Sequence, residues 1–215
     1  MSPLRASISS LAVLIGALAL AACRDGRSAA APPTPAPAVV HTEPTSEGPT
    51  MTNPPANLQI AMFGAGCFWG VEARFRKIPG VVDTAVGYSG GTIPNPTYKD
   101  VCTDRSGHAE VVHVTYDPAK VSYAHLVDFF FEHHDPTQVN RQGPDFGTQY
   151  RSVVFYFTPE QHKLAQAAKE RQGTSGKWSR PIATLILPAA TFWKAEDYHQ
   201  RYLEKHGLES CDTGG

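Results

Sequence analysis

An excess of charge is the first thing this sequence lacks. Its 19 Lys and Arg stand against 20 Asp and Glu over 215 residues, a formal net charge of -1. That balance gives a polyanion no electrostatic hold, so nucleic acid is not an expected partner. Cysteine is scarce, with four in the chain, and neither Cys-x-x-Cys nor His-x-x-x-His occurs. Adjacent histidines such as His133 and His134 do not share a helix face, so no metal site is expected. His134-Asp135-Pro136 reads instead as a helix exit, with His at the negative end of the dipole. The N-terminal apolar run, Leu11–Ala22, has 12 residues, well short of the ~20 a bilayer-spanning helix needs.

That run suits the apolar region of an export signal over residues 1–22. It ends in Leu20-Ala21-Ala22-Cys23, which resembles the lipobox of bacterial lipoproteins. The resemblance implies cleavage before Cys23 and lipidation of that residue, enough for stable anchoring. The expected location is the bacterial cell envelope, on the extracytoplasmic side, with the lipid as the sole membrane contact. Residues 23–56 read as a tether: eight of the 18 prolines fall there, mixed with Ala, Thr and Ser and without a periodic apolar face.

Residues 57–208 read as one domain, followed by a short tail over 209–215. With 41% hydrophobic residues in the chain, about 150 residues suffice for a single core. Asn57–Phe63 is expected as a strand, and Phe68, Val71, Phe75 and Ile78 mark a helix closed by Pro79-Gly80. Val81–Tyr88 and Ala109–Tyr116 read as strands, Ser122–His133 as a helix capped by Ser122, and Tyr150–Phe157 as a strand. Thr158-Pro159-Glu160-Gln161 fits a capping box opening a helix to about Arg171. Ile182–Leu187 is a further strand and Ala195–Lys205 a last helix. Pro94–Gly107 and Asp135–Gly147 are long loops of the kind that carry function. The order β-α-β-β-α-β specifies an α+β fold, a ferredoxin-like split β-α-β sandwich with an extra C-terminal strand and helices.

Chemistry centres on Cys67 in Gly64-Ala-Gly-Cys-Phe-Trp-Gly70. A cysteine between a strand end and a helix start meets unpaired N–H groups and the positive end of the dipole, which favour thiolate, the nucleophilic form. Phe68 and Trp69 put flat apolar surface beside it. The same pattern also fits a structural cysteine packed against core aromatics.

Gly66-Cys67-Phe-Trp-Gly resembles the nucleophile motif of the A-type peptide methionine sulfoxide reductases. Gly87-Tyr-Ser-Gly-Gly, Asn95-Pro-Thr-Tyr98, Gly107-His-Ala-Glu110-Val-Val and Gly147-Thr-Gln-Tyr150-Arg-Ser resemble the family's other signatures in the same order, so the resemblance spans Gln59 to Cys211. It implies a Cys67 thiolate attacking the sulfoxide and Glu110 as the acid that protonates its oxygen. Without the resemblance, Glu110 on an alternating strand reads as a solvated residue. Enclosure among aromatics is expected to raise its pKa. Tyr98 and Tyr150 are implied as hydrogen-bond donors to that oxygen, Phe68 and Trp69 as walls of a methyl pocket, and Asp145 as a substrate-binding acid. S-epimer specificity follows from the resemblance alone.

Attack leaves Cys67 as a sulfenic acid that a second thiol can condense with. Family members often keep a recycling Cys in the tail, which makes Cys211 the resolving residue. Asp212 rather than Gly follows it, and no third thiol lies downstream. Cys102 matches a position often Cys in the family and reads as a plain loop thiol. No cofactor is implied beyond a thioredoxin-like reductant, the substrate is methionine S-sulfoxide in peptides and proteins, and a monomer is expected. Other readings of the same residues are a peroxidase using Cys67, a tethered binding module without turnover, and a structural disulfide.

Overall fold

The computed structural model describes residues 57–208. The expected signal, Cys23 and tether, and the tail with Cys211, lie outside the described residues. Among the described residues no helix is long and apolar enough to cross a membrane.

In chain order the elements are β1 (Gln59–Gly64), α1 (Phe68–Phe75), β2 (Val81–Ser89), α2 (Tyr98–Val101), β3 (Ala109–Tyr116), α3 (Tyr123–Glu132), β4 (Arg141–Gln142) and β5 (Asp145–Phe146). A 3-10 turn (Thr148–Tyr150), β6 (Val153–Tyr156), α4 (Pro159–Thr174), β7 (Leu185–Pro188), β8 (Trp193–Lys194) and α5 (Tyr202–Lys205) follow. The main sheet runs β7-β6-β1-β3-β2-β8. β1 is antiparallel to β3 and β6, β2 is antiparallel to β3 and β8, and β6 with β7 is parallel. The sheet is therefore mixed.

Alternation along β3 divides the protein into two layers. Val112, Val114 and Tyr116 join Phe63, Phe75, Leu126 and Phe130 in the core under α1 and α3. Ala109 and Val111 join Met62, Phe155 and Phe192 on the opposite face. Phe63 stacks on Phe75 at 4.9 Å and on Phe130 at 5.3 Å, and each such buried ring contributes roughly 1.5–3 kcal/mol. α4 joins the helical layer through Ala165 and Ala168. Ser122 caps α3 by accepting from His125 N.

Several expected boundaries shift, each for a local reason. Tyr150 is not in a strand but ends the 3-10 turn, so β6 starts at Val153. Thr158 caps α4, but Gln161 does not return the bond to it. Its Oε1 accepts from Phe157 N and its amide donates to Ile60 O, which ties α4 to β1. The last helix shrinks to α5 because Arg201 takes a left-handed φ of 52° and Glu72 Oε2 captures its N–H at 2.8 Å. The two long loops contain α2 and the β4–β5 hairpin.

Candidate active site

β1 delivers the chain to the site. Gly64 is its last residue, and a Cβ there would stand 2.9 Å from Glu110 O and 2.8 Å from Val153 Cγ1. Only glycine allows three strands to close so tightly at that point. Gly66 then turns at a φ of +90°, its Cα facing Gln142, whose Cβ would lie 2.7 Å from an added methyl. Gln142 is itself held by Asp135, whose N–H donates to Oε1 and whose carbonyl accepts from Nε2. The turn places Cys67 at the N-cap of α1, where a helix N-terminus favours negative charge.

Glu110 shares the helix-covered side of β3 with Val112 and Val114, and it is 2% exposed. Its Oε2 accepts the N–H of Phe68 at 3.0 Å. The carboxyl thus meets the first residue of the helix that Cys67 opens. A cavity of about 580 Å3 lies over this junction, and among its walls are Cys67, Phe68, Trp69, Tyr98, Glu110, Asp145 and Tyr150. The structure brings together every sequence-derived site residue that lies within the described region. Cys102 is not on the cavity wall. It ends α2, and its side chain shares a hydrogen bond with Tyr98.

Burial pushes the Tyr98 and Tyr150 hydroxyls far above the ordinary tyrosine range, with the Glu110 charge adding to it in both. Both stay protonated at neutral pH and can donate. Burial also raises the Asp145 carboxyl. His134, another cavity residue, lies just past the end of α3, at the expected helix exit. Desolvation outweighs the bond to Phe130 O and the nearby Asp135 charge and lowers its pKa to about 4, so its imidazole is neutral. Its Nδ1 bonds to Phe130 O and its Nε2 to Ser152 Oγ, each at 2.7 Å.

The aromatic wall depends on residues that sequence reasoning missed. Trp69 stacks on Tyr202 at 3.8 Å and 11°. Its Nε1 donates to His199 Nδ1 at 3.0 Å, and the His199 ring also packs on Phe68 and Tyr98. His199 is 1% exposed. Glu196 accepts from Tyr98 N and from Tyr88 OH. Burial would raise its carboxyl, but the bonds from Tyr98 N, from its own backbone N–H and from Tyr88 OH, with His199 nearby, hold it below the usual range. Nothing in the periodicity of Ala195–Lys205 separates these residues from an ordinary helix. An apolar slot, a thiol at a helix start and several protonated donors can seat a small apolar group with a polar oxygen and move a proton to that oxygen.

A family model described as peptide methionine sulfoxide reductase matches residues 59–214. The chain is 62% identical over 160 residues to a Methanoculleus marisnigri protein named peptide methionine sulfoxide reductase MsrA, covering 74% of this chain and 98% of that one. Among solved structures, reduced Mxr1 from Saccharomyces cerevisiae is 40% identical with a TM-score of 0.69, over 74% of this chain and 91% of that one. Mxr1 in complex with Trx2 is 31% identical with a TM-score of 0.51, over 72% and 91% of the two chains.

Proposed function

The chain belongs to the peptide methionine sulfoxide reductase family, and from that premise we propose how its own residues perform the reaction. It is an enzyme that reduces methionine sulfoxide. In our reading the substrate is the S epimer, with its methyl group against Phe68 and Trp69 and its oxygen facing Glu110, Tyr98 and Tyr150. Cys67 attacks as thiolate while Glu110 protonates the oxygen. The oxygen passes to the Cys67 sulfur, the substrate sulfur gains two electrons, and methionine leaves with Cys67 as a sulfenic acid. The observation that carries this reading is the Phe68 N–H to Glu110 Oε2 bond of 3.0 Å, which sets the acid against the helix start that holds the nucleophile.

Recycling runs through Cys211. Its thiol condenses with the sulfenic acid, releasing water and forming a Cys67–Cys211 disulfide. A thioredoxin-like dithiol then reduces that disulfide and is itself oxidised. Two observations support this. The last described residue, Leu208, borders the cavity, and three further residues span at most ~11 Å. The relative Mxr1 was solved in complex with Trx2. We read the sheet centre, β6-β1-β3-β2 with α1 and α3 as crossovers, as the split β-α-β plan. The finer biological reading is an exported monomer anchored by lipidated Cys23 that repairs oxidised envelope proteins.

The test supplies S and R epimers of N-acetyl methionine sulfoxide with dithiothreitol. Only the S epimer should be consumed, and Cys67→Ser should consume neither. Loss of sulfoxide with Cys67→Ser would sink the proposal.

A further inference from the structure

We propose that Glu196 is a positioning residue for the Tyr98 hydroxyl, an inference that rests on the reading in which Tyr98 donates to the sulfoxide oxygen. Tyr98 opens α2, a helix of four residues inside a long connection. The connection bends through left-handed residues on both sides, Asn95 at φ 48° and Asp104 at φ 62°. The capping box within α2 is local: Thr97 Oγ1 accepts from Asp100 N, and Asp100 Oδ2 accepts from Thr97 N. Neither bond attaches the helix to the domain.

The Glu196 carboxylate does attach it. Oε1 accepts the backbone N–H of Tyr98 at 2.8 Å, across 98 residues of sequence. Oε2 accepts from Tyr88 OH at 2.9 Å. Tyr88 is fully buried and stands opposite Glu110 in the β2–β3 register. Tyr98, through one carboxylate, is thereby referred to the same rung of the sheet from which the acid projects. The Tyr98 ring rests on His199 at 4.7 Å, and His199 Nε2 lies 3.9 Å from Glu196 Oε2. Hydrogen bonds to an ionised carboxylate are short and strong. A donor aimed at a developing charge loses most of its value when displaced by about 1 Å.

The experiment compares Glu196→Ala, Glu196→Gln, Tyr98→Phe and the double variant Tyr98→Phe/Glu196→Ala, using N-acetyl methionine S-sulfoxide and dithiothreitol. A single-turnover methionine yield without reductant counts working sites, so misfolded protein does not enter the rate. Per working site, Glu196→Ala should lower kcat on the order of tenfold or more with little change in KM. Glu196→Gln keeps an oxygen for Tyr98 N–H and an amide that Tyr88 can accept from, and should stay within about threefold of the parent enzyme. In the Tyr98→Phe background, Glu196→Ala should cost less than about threefold more, because both changes remove the same contact.

Full additivity of the two changes, an undiminished Glu196→Ala rate, or equal damage from Gln and Ala would each overturn the inference while leaving the reaction intact. A parent enzyme that consumes no sulfoxide would instead sink the functional reading beneath it. Should Glu196→Ala yield no working sites, Tyr88→Phe loosens the same carboxylate and must show the same non-additivity with Tyr98→Phe.

Discussion

Phe68 and Glu110 are 42 residues apart in sequence, yet the N–H of the first donates to Oε2 of the second at 3.0 Å. The bond joins the end of a helix to the edge of a central strand. It places an almost fully buried carboxyl beside the residue that caps α1, Cys67.

Glu110→Gln should preserve the fold, because the amide oxygen can still accept from Phe68 N. It should nevertheless lower kcat by about 10²–10⁴-fold, the usual worth of a general acid. Turnover of the S-sulfoxide with dithiothreitol, alongside a thermal melt, checks both halves. A stable variant at parental rate would remove Glu110 from the chemistry.

Gly66→Ala should destabilise the domain. The φ of +90° disfavours any side chain, and the new methyl would meet Gln142 Cβ at 2.7 Å. Left-handed strain alone costs roughly 1–3 kcal/mol. A urea midpoint equal to that of the parent protein would contradict this.

Lowering the pH should weaken the fold through His134. Its folded pKa of about 4 lies below the unfolded value of ~6.5, so the unfolded state binds the extra proton between them. The contribution is fully present above pH 6.5 and disappears as pH falls toward 4, on the order of 3 kcal/mol at most. His113 and His199 are also lowered by burial and act with the same sign. His134→Gln should flatten the fall in stability between pH 6.5 and 5, measured by denaturant unfolding. An unchanged slope would show that His134 is protonated without cost.

Cys211→Ser should retain one equivalent of methionine per enzyme but lose turnover with thioredoxin. Gly207→Ala should slow the same cycling while sparing the first turnover. Gly207 has a φ of 66° and closes α5 with bonds from Gly207 N to Glu204 O and from Leu208 N to Leu203 O, which turns the chain toward the cavity. Normal thioredoxin cycling by Cys211→Ser would move the resolving role elsewhere.

Cys23→Ala should move the protein from the membrane to the soluble fraction on fractionation of the producing bacterium. Retention in the membrane would dismiss the lipobox.

Where pattern and packing agree, the sequence is legible. Ala109–Tyr116 alternates because β3 lies between β1 and β2 with apolar layers on both faces, and its bounds are those expected. Ser122 announces α3 because a hydroxyl at an N-cap acts within one turn. The C-terminal segment is not legible in this way. Ala195–Lys205 has helical composition, but Glu72, far away in sequence, takes the N–H of Arg201 and breaks it. That break leaves Glu196, His199 and Tyr202 around the slot, contacts that no local spacing encodes.

Sequence alone determined the residue types available for the reaction: a cysteine before a helix, a carboxyl on a strand, tyrosines in loops, and glycines where chains must crowd. These are local properties, set by side-chain chemistry and backbone freedom within a few residues. Tertiary structure decided which of them meet. Long-range pairing of β1 with β3, capture of the Tyr98 loop by Glu196 and packing of Gln142 against Gly66 enclose the groups in one cavity, and only enclosure removes the water that would otherwise satisfy them separately.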